Sequence, residues 1–337
     1  MSLEKNFLSE LILASHNKPS SLSYFHNNFP NKPLLSQGTV QAFVIGGTNY
    51  EVATAQISDN GRHTKVIKHH SGRIPQFIDA DSFLQFIGTQ IDPKIEALAI
   101  NFAYNIQPTV GTFGEVDGIL VTGTKEHVFK GLIGKAIGAY LKQQLHLTVP
   151  VTIVNDTVCL GRNSLVVGSG FNICFNNINF EAGNFDKFDG TPELEKIDRH
   201  SEIPGIGRYE KMLSGVYLPH HYNLLAKKLG ITTPPVTDAK ELSRLAVHTD
   251  ASGLLARILL IRSAGMVAAA LAAVYEFSGK QSITFTTDGS LFWKGWKYKT
   301  NVEQELIKLG IPEGAITFDY RKDAARNGAL TLLTRTK

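Results

Sequence analysis

The sequence predicts an α/β fold built from two similar lobes. Its 337 residues exceed the roughly 150 of an average domain, and 43% of them are hydrophobic, which is enough to form two cores. Two glycine-tipped β-hairpins occur, one near residue 46 and one near residue 168, and each is followed by helices and a buried strand. This repeated order predicts a duplicated two-lobe fold with a central cleft.

The first half of the chain predicts three antiparallel strands and then helix, strand, helix and strand. The first strand ends at Ile45, and a glycine-rich turn leads into a second strand that runs through Ile57. The elements predicted next are a strand HTKVIKHH, a helix at about 80–90, a strand EALAINFAY, a helix at about 130–146 and a strand VTIVND. This order is typical of one α/β layer unit.

The second half repeats that pattern. The segment SLVVGSGFNICFNNINFEAG predicts a second glycine-tipped hairpin. Helices are predicted from Tyr209 to Leu229 and from Asp238 to Phe277, followed by a buried strand SITFTTDGS and a closing helix GALTLLTRT.

The charge of the chain gives little indication of its partners. Lysine and arginine number 34 against 30 acidic residues, a net charge of +4. The densest basic run, Arg62 to Arg73, is interrupted by small and apolar residues, so it predicts a solvated hairpin and no nucleic-acid partner. The two cysteines, Cys159 and Cys174, lie in apolar segments and predict buried thiols in a reducing compartment.

The sequence also favours a cytoplasmic protein without a membrane span. Glu4, Lys5 and Glu10 interrupt what would be the apolar region of a signal peptide. The longest apolar run, Ala264 to Tyr275, is shorter than the roughly 20 residues that cross a bilayer. No heptad pattern stands out, and the oligomeric state stays open.

The two glycine turns are the first candidate functional features. The sequences Gly46-Gly47-Thr48-Asn49 and Gly168-Ser169-Gly170 leave backbone N–H groups accessible, which is how a chain approaches phosphate oxygens. Each turn alone is also compatible with a plain hairpin. The sequence contains no P-loop, and neither turn fits a dinucleotide-binding glycine motif.

A polar segment follows the strand VTIV. Asp156 comes at the end of that strand, where α/β folds place their chemistry, but an aspartate before a helix can equally be an N-cap. The pairs His69-His70 and His220-His221 have no partner at metal-ligand spacing, so we interpret them as surface residues. The residues that would hold a metal ion stay open.

Together and in order, these segments resemble the eukaryotic-type hexokinases of the actin-like ATPase superfamily. The segments that carry the resemblance, from residue 45 onward, are IGGTN, TGTK, VNDTV, GSGFNICF, NFEAGNF, RYEKMLSGVYL and TDGS. It implies a two-lobe actin-like ATPase (ribonuclease H-like) fold with a central cleft. It further implies a small lobe of residues 38–154 plus 325–337 and a large lobe of residues 1–37 plus 155–324.

The resemblance implies an ATP-dependent hexose kinase that forms a hexose 6-phosphate, with ATP as co-substrate and Mg²⁺. Asp156 is then the general base, and Lys125 lies near the transferring phosphoryl group. The implied sugar-binding residues are Thr124, Lys125, Asn155, Asp156, Asn172, Glu181 and Glu210. The implied nucleotide-binding residues are Gly46, Gly47, Thr48, Asn49, Gly168, Ser169, Gly170, Asp288, Gly289, Ser290 and Gly328. Carboxylates and amides suit a hexose because each can pair with several hydroxyl groups.

The nucleotide side departs from the family pattern. Val44 stands where the family has an aspartate, Glu51 stands where it has an arginine, and residues 324–327 replace its glycine-rich stretch beside adenosine. Two interpretations of the hairpin stay open: Glu51 helps to organise water around Mg²⁺, or Glu51 is solvated and Val44 is a core residue. The alternative function is a hexose-binding sensor with an impaired nucleotide site. The preferred hexose stays open.

Overall fold

The computed structural model describes residues 2–47, 49–123 and 127–336, and it divides the chain into two compact units. The first unit comprises Met1–Tyr24, Asn163–Asn176 and Phe180–Arg321. The second unit comprises Phe25–Arg162, Asn177–Asn179 and Lys322–Lys337.

In chain order, the strands of the described residues are β1 (Phe25–His26), β2 (Gly38–Ile45), β3 (Asn49–Ser58), β4 (His63–Arg73), β5 (Ala97–Phe102), β6 (Ile106–Val110), β7 (Val116–Leu120), β8 (Val151–Asn155), β9 (Ser164–Val167), β10 (Phe171–Phe175), β11 (Ile178–Asn179), β12 (Ile283–Asp288) and β13 (Ile316–Asp319). The helices are α1 (Leu3–Ser15), α2 (Ala80–Gly88), α3 (Ile137–Gln144), α4 (Asp156–Leu160), α5 (Pro192–Arg199), α6 (Arg208–Leu213), α7 (Leu218–Lys228), α8 (Ala239–Leu245), α9 (Ala251–Phe277), α10 (Ser290–Lys294), α11 (Tyr298–Lys308) and α12 (Ala324–Thr331).

The second unit is built on one mixed sheet. Its strands lie in the order β4-β3-β2-β5-β8; β2, β3 and β4 form the antiparallel meander, and β5 and β8 run parallel to β2. The meander and the following helix–strand order agree with the pattern of the sequence. Because β2, β5 and β8 are parallel, their carboxyl ends meet at one edge of the sheet.

The two faces of this sheet differ in side-chain size. One face carries Phe43, Leu98 and Ile100, which are fully buried in the main apolar core of the unit. Since side chains alternate along a strand, the opposite face carries the alanines between them, such as Ala42 and Ala99, both buried. Helix α12 packs on that face. The small residues therefore allow the last helix to lie close to the sheet.

Gly328 lies in α12 where the helix crosses α4. A Cβ atom at this position would lie 2.2 Å from the backbone oxygen of Cys159. The residue was expected to bind nucleotide; the structure gives it a packing reason of its own, because only glycine fits between the two helices.

The first unit contains the strand order β10-β9-β12-β13. Strands β9 and β10 are antiparallel and form the second glycine-tipped hairpin, whereas β12 is parallel to both β9 and β13. Helix α9, with 27 residues, packs against α1 and α11 and forms the centre of this unit.

Helix α9 is long and apolar enough to cross a membrane by length and composition alone. The uninterrupted apolar run from Ala264 to Tyr275 is only part of this helix, so its length alone does not reveal the feature. In the structure 78% of the most apolar 18-residue segment of this helix is buried inside the protein, as expected for a core helix. The absence of a membrane span stays a prediction.

Several element boundaries differ from the expected ones. The helix expected at 130–146 begins at Ile137, because Gly131 and Gly134 adopt positive φ angles of 82° and 80°. The helix expected from Tyr209 to Leu229 is interrupted after Leu213, where the backbone N–H of Gly215 donates to the oxygen of Gly168. The closing helix was expected at 328–336 and is observed at Ala324–Thr331.

A second break divides the helix expected from Asp238 to Phe277. Helix α8 ends at Leu245, and the side chain of Asp250 caps α9 by accepting from the N–H of Gly253 at 2.9 Å.

The units also divide at different residues from the predicted lobes. Residues 25–37 lie in the second unit because the Arg335 guanidinium packs on the Phe29 ring and the N–H of Leu34 donates to the oxygen of Leu333. Residues 155–162 lie in the same unit because they continue from β8 into α4.

Candidate active site

The sheet edge of the second unit aligns the first glycine turn with the polar strand end. Ile45 pairs with Phe102, and Phe102 pairs with Asn155, so the three form one row across β2, β5 and β8. Gly46 and Asp156 each follow this row directly. With strands about 4.8 Å apart, the two chain exits lie about 10 Å from each other.

Asn155, rather than Asp156, caps the helix that follows. Its side-chain oxygen accepts from the Thr157 N–H at 3.1 Å and from the Thr157 hydroxyl at 2.6 Å. Asp156 is the first residue of α4, and its Oδ1 accepts from the same N–H at 2.8 Å. Since Asn155 supplies the cap, the identity of Asp156 is not explained by capping alone.

Among the described residues, two hydrogen bonds hold the first glycine turn. The N–H of Gly46 donates to the oxygen of Asn49 at 3.1 Å and closes the hairpin. The hydroxyl of Tyr104 donates to the Gly46 oxygen at 3.1 Å. Thr48 lies outside the described residues, as do Thr124 and Lys125 of the expected sugar set.

Val44 and Glu51 face each other across this hairpin. Val44 is half-buried and therefore not a core residue. The Glu51 carboxylate lies 3.3 Å from Nε2 of His69 and 3.8 Å from Nη1 of Arg326. Position 44, which lacks the family's carboxylate, and position 51, which has an additional one, are thus neighbours. The Glu51 carboxylate, however, already contacts two basic side chains of this chain.

The second glycine turn meets the TDGS segment within the first unit. A Cβ atom on Gly289 would lie 2.0 Å from the backbone oxygen of Val167, and Gly289 has a φ of 118°. A Cβ on Gly168 would lie 3.3 Å from Cα of Gly289. The structure thus brings together the turn of residues 168–170 and the segment 288–290, which were expected to bind the same nucleotide.

Asn172 and Glu181 lie close together on this unit. The Asn172 side-chain oxygen accepts from its neighbour Ile173 at 2.8 Å and from Ala182 at 3.0 Å. Because the backbone occupies this oxygen, the other end of the amide is a hydrogen-bond donor. Glu181 adopts the left-handed region, with φ 48° and ψ 48°. Such a conformation costs on the order of 1–3 kcal/mol in a non-glycine residue and often marks a functional site.

Glu210 joins this group. Its Oε2 accepts from the N–H of Phe171 at 3.1 Å. A Cβ atom on Gly170 would lie 2.8 Å from that oxygen, and one on Gly183 would lie 3.1 Å from Cβ of Glu210. The two glycines therefore make room for the carboxylate beside Asn172 and the 181–184 turn.

Helix α6, which carries Glu210, is anchored by a buried ion pair. Asp198 accepts from Nζ of Lys211 at 2.6 Å and from the N–H of Gly205 at 3.0 Å, and Arg208 adds a longer contact of 3.4 Å. Burial alone raises the pKa of Asp198, but the hydrogen bonds from Lys211 and Gly205 outweigh it and hold the pKa below its usual value. Arg208 and Lys211 flank Glu210, so this anchor fixes the orientation of the helix.

One histidine prediction was wrong. His221 was expected at the surface but is fully buried, with Nε2 donating to the backbone oxygen of Lys211 at 2.9 Å. Burial, with the charge of Arg262, lowers its pKa to about 4. His69 and His70 are exposed. Among the described residues, no group of three or more His, Cys, Asp or Glu side chains is placed to hold a metal ion.

Sequence comparison extends over most of the chain. Hexokinase-2 of Equus caballus is 24% identical over 87% of this chain, which spans only 41% of the length of that relative. The hexokinase from Schistosoma mansoni, solved in complex with glucose, superposes with a TM-score of 0.81 over 98% of this chain and 94% of its own, at 20% identity. In sequence and in fold, this chain is similar to the hexokinases.

A more distant structure shares the same fold. A ROK family glucokinase from Streptomyces griseus, in complex with glucose and AMPPNP, has a TM-score of 0.55 over 88% of this chain and 98% of its own, at 16% identity. No family model matches the sequence. The resemblance to hexokinases and the α/β actin-like ATPase fold are confirmed.

Sequence reasoning overlooked two residues of this chain that hold the site in place. Tyr104 and Asp198 lie in no glycine turn and follow no recognised motif. Their partners, Gly46 for Tyr104 and Lys211 for Asp198, are distant in sequence. The available signals were weak: a tyrosine just after a buried strand, and an aspartate in a short helix rich in charged residues.

Proposed function

We propose that this chain is an ATP-dependent hexose kinase that transfers the γ-phosphoryl group to the 6-hydroxyl of glucose or a related hexose. The observation that carries the proposal is the row of Ile45, Phe102 and Asn155. It sets a glycine turn suited to phosphate and the carboxylate of Asp156 at one sheet edge of the second unit. Phosphoryl transfer needs this combination of positioned donors and a base.

Asp156 acts as the general base in this proposal. It accepts the proton of the hexose 6-hydroxyl while that oxygen bonds to the γ-phosphorus and the bond from phosphorus to the leaving ADP oxygen breaks. Its Oδ1 accepts from the Thr157 N–H at 2.8 Å, which orients the carboxylate. General-base catalysis of this kind contributes about 10²- to 10⁴-fold in rate.

Asn172, Glu181 and Glu210 bind hexose hydroxyls in this proposal. A carboxylate accepts hydrogen bonds from several hydroxyls, and the Asn172 amide donates, so the set matches a polyhydroxylated ring. Sites built in this way reject analogues that leave a buried polar group unpaired. The presence of glucose in the Schistosoma mansoni structure supports a hexose as substrate.

ATP as phosphoryl donor is supported by the AMPPNP in the Streptomyces griseus glucokinase. Mg²⁺ normally accompanies ATP and neutralises charge on its phosphates. The described residues of the first glycine turn do not fit a metal ligand set, because Val44 is aliphatic and Glu51 is paired with His69 and Arg326. No step of the proposal depends on a metal at that turn. We propose a cytoplasmic location.

A coupled assay tests the proposal. We expect ADP release that depends on added glucose, with a hexose 6-phosphate formed in equal amount, and little release from ATP alone. Calorimetry with glucose alone runs beside it. Glucose binding without turnover would favour a hexose sensor, which the altered residues Val44 and Arg326 make the second candidate. If the protein neither binds nor phosphorylates glucose or a related hexose, both candidate functions are contradicted.

A further inference from the structure

Tyr104 connects the two halves of the sheet edge that carries the proposed chemistry. Its hydroxyl donates to the Gly46 oxygen at 3.1 Å. Its own backbone oxygen accepts from Nδ2 of Asn155 at 3.4 Å. One residue thus contacts both the first glycine turn and the strand end before Asp156.

The position of the Tyr104 ring is fixed by its surroundings. Tyr104 is 3% exposed. Its ring centroid lies 4.8 Å from that of Phe102, 5.0 Å from that of Phe129 and 5.6 Å from that of His127. Burial raises the pKa of the phenol, so the group keeps its proton and acts as a donor. The hydroxyl is therefore a stationary donor beneath the turn.

This hydrogen bond determines the direction of the next backbone donor. In a trans peptide the C=O of one residue and the N–H of the following residue point in opposite directions. The Gly46 C=O points toward the buried hydroxyl. The N–H of Gly47 therefore points away from the aromatic core, and no Cβ stands beside it.

We propose that Tyr104 is a positioning residue for nucleotide: its hydroxyl fixes the Gly46–Gly47 peptide so that the Gly47 N–H donates to a phosphate of ATP. The inference rests on the proposed function and adds one residue to it. Without the hydroxyl, this glycine peptide can rotate and present an oxygen to the phosphate, which repels it.

Tyr104→Phe removes only the oxygen atom and tests the proposal directly. We expect the Kd for ADP and the KM for ATP to rise about 3- to 10-fold, as the loss of one hydrogen bond of about 1 kcal/mol predicts. The Kd for glucose should stay within about twofold of wild type, because the bond from Asn155 goes to the Tyr104 backbone and survives.

Tyr298→Phe is the matched control. Tyr298 is also buried, and its hydroxyl contacts Ser263 Oγ at 2.6 Å within the first unit. This variant should lose a similar amount of stability by thermal unfolding and keep its ADP affinity.

Wild-type ADP affinity in Tyr104→Phe would overturn the positioning role. Parallel losses of glucose and ADP affinity would also overturn it and assign the hydroxyl a purely structural role. A failure of the proposed function alone gives another result. The wild-type protein then binds ADP without phosphorylating glucose, and Tyr104→Phe still weakens ADP binding. Wild-type protein that binds no ADP would contradict both.

Discussion

Glu210 occupies a position that depends on its charge as well as its shape. Two glycines make room for its carboxylate, and the Phe171 N–H donates to it. Glu210→Gln keeps the size and removes the charge. Since hydrogen bonds to a charged group contribute about 1.5–3 kcal/mol, we expect glucose affinity to fall about 10- to 100-fold by calorimetry. The control is Glu303→Gln, which removes the charge of an exposed carboxylate paired with Lys299 in α11. Unchanged affinity in Glu210→Gln would place the sugar elsewhere.

His221 makes the stability of the protein depend on pH. Its pKa of about 4 in the folded state lies below the ordinary value of 6.5. Between these values the unfolded chain binds a proton that the folded protein does not. The stabilisation, roughly 3 kcal/mol, is therefore present above pH 6.5 and is lost as the pH falls toward 4.

Urea unfolding across this pH range measures the effect. His221→Gln has no proton to gain, and its free energy of unfolding should fall less steeply between pH 6.5 and 4 than that of wild type. Equal slopes in the two proteins would show that other groups dominate.

At the level of elements, helix α6 depends on the ion pair between Asp198 and Lys211. Asp198→Asn leaves the ammonium group of Lys211 buried without its counter-charge. Removing one partner of a buried ion pair destabilises a protein by about 3–5 kcal/mol. The free energy of unfolding by urea should fall by that amount. Glucose affinity should weaken as well, since Glu210 lies between the anchored residues. Lys280→Ala removes the exposed pair with Glu276 and should cost less than about 1 kcal/mol; an equal loss would contradict the anchor.

Two glycines within helices provide a second test at this level. Gly328 in α12 has no room for a Cβ atom, whereas Gly265 in α9 has. Gly328→Ala pushes a methyl group against Cys159 and should destabilise by about 1–3 kcal/mol. Gly265→Ala in α9 meets its first neighbour at 3.8 Å and should be neutral or stabilising by up to about 1 kcal/mol. Thermal unfolding compares them. If both variants behave alike, close packing is not the reason for Gly328.

The sequence predicted elements whose signals are local. Both glycine hairpins and the buried strands were predicted because turn residues and side-chain alternation lie within a few positions of each other. The break after Leu213 could not be predicted, since it follows from a hydrogen bond between Gly215 and the distant Gly168. The burial of His221 and the proposed role of Tyr104 likewise arise from tertiary contacts. The site residues carried over by resemblance stay predictions.

For the whole molecule, the fold is confirmed and the activity is proposed. The chain spans 41% of the length of the hexokinase-2 relative and is 24% identical to it. Each unit carries one glycine turn, at Gly46 and at Gly168, so the duplicated pattern in the sequence corresponds to two separately packed bodies. The central claim is that the sheet edge of the second unit performs phosphoryl transfer with Asp156 as base.

The kcat of Asp156→Asn tests this claim most directly. The substitution preserves size and hydrogen bonding but removes the proton acceptor. We expect kcat for glucose phosphorylation to fall about 10²- to 10⁴-fold, while glucose affinity by calorimetry changes less than about tenfold. Asp186→Asn, a partly exposed carboxylate paired with Lys187, should leave both unchanged. A kcat near wild type in Asp156→Asn would contradict the account.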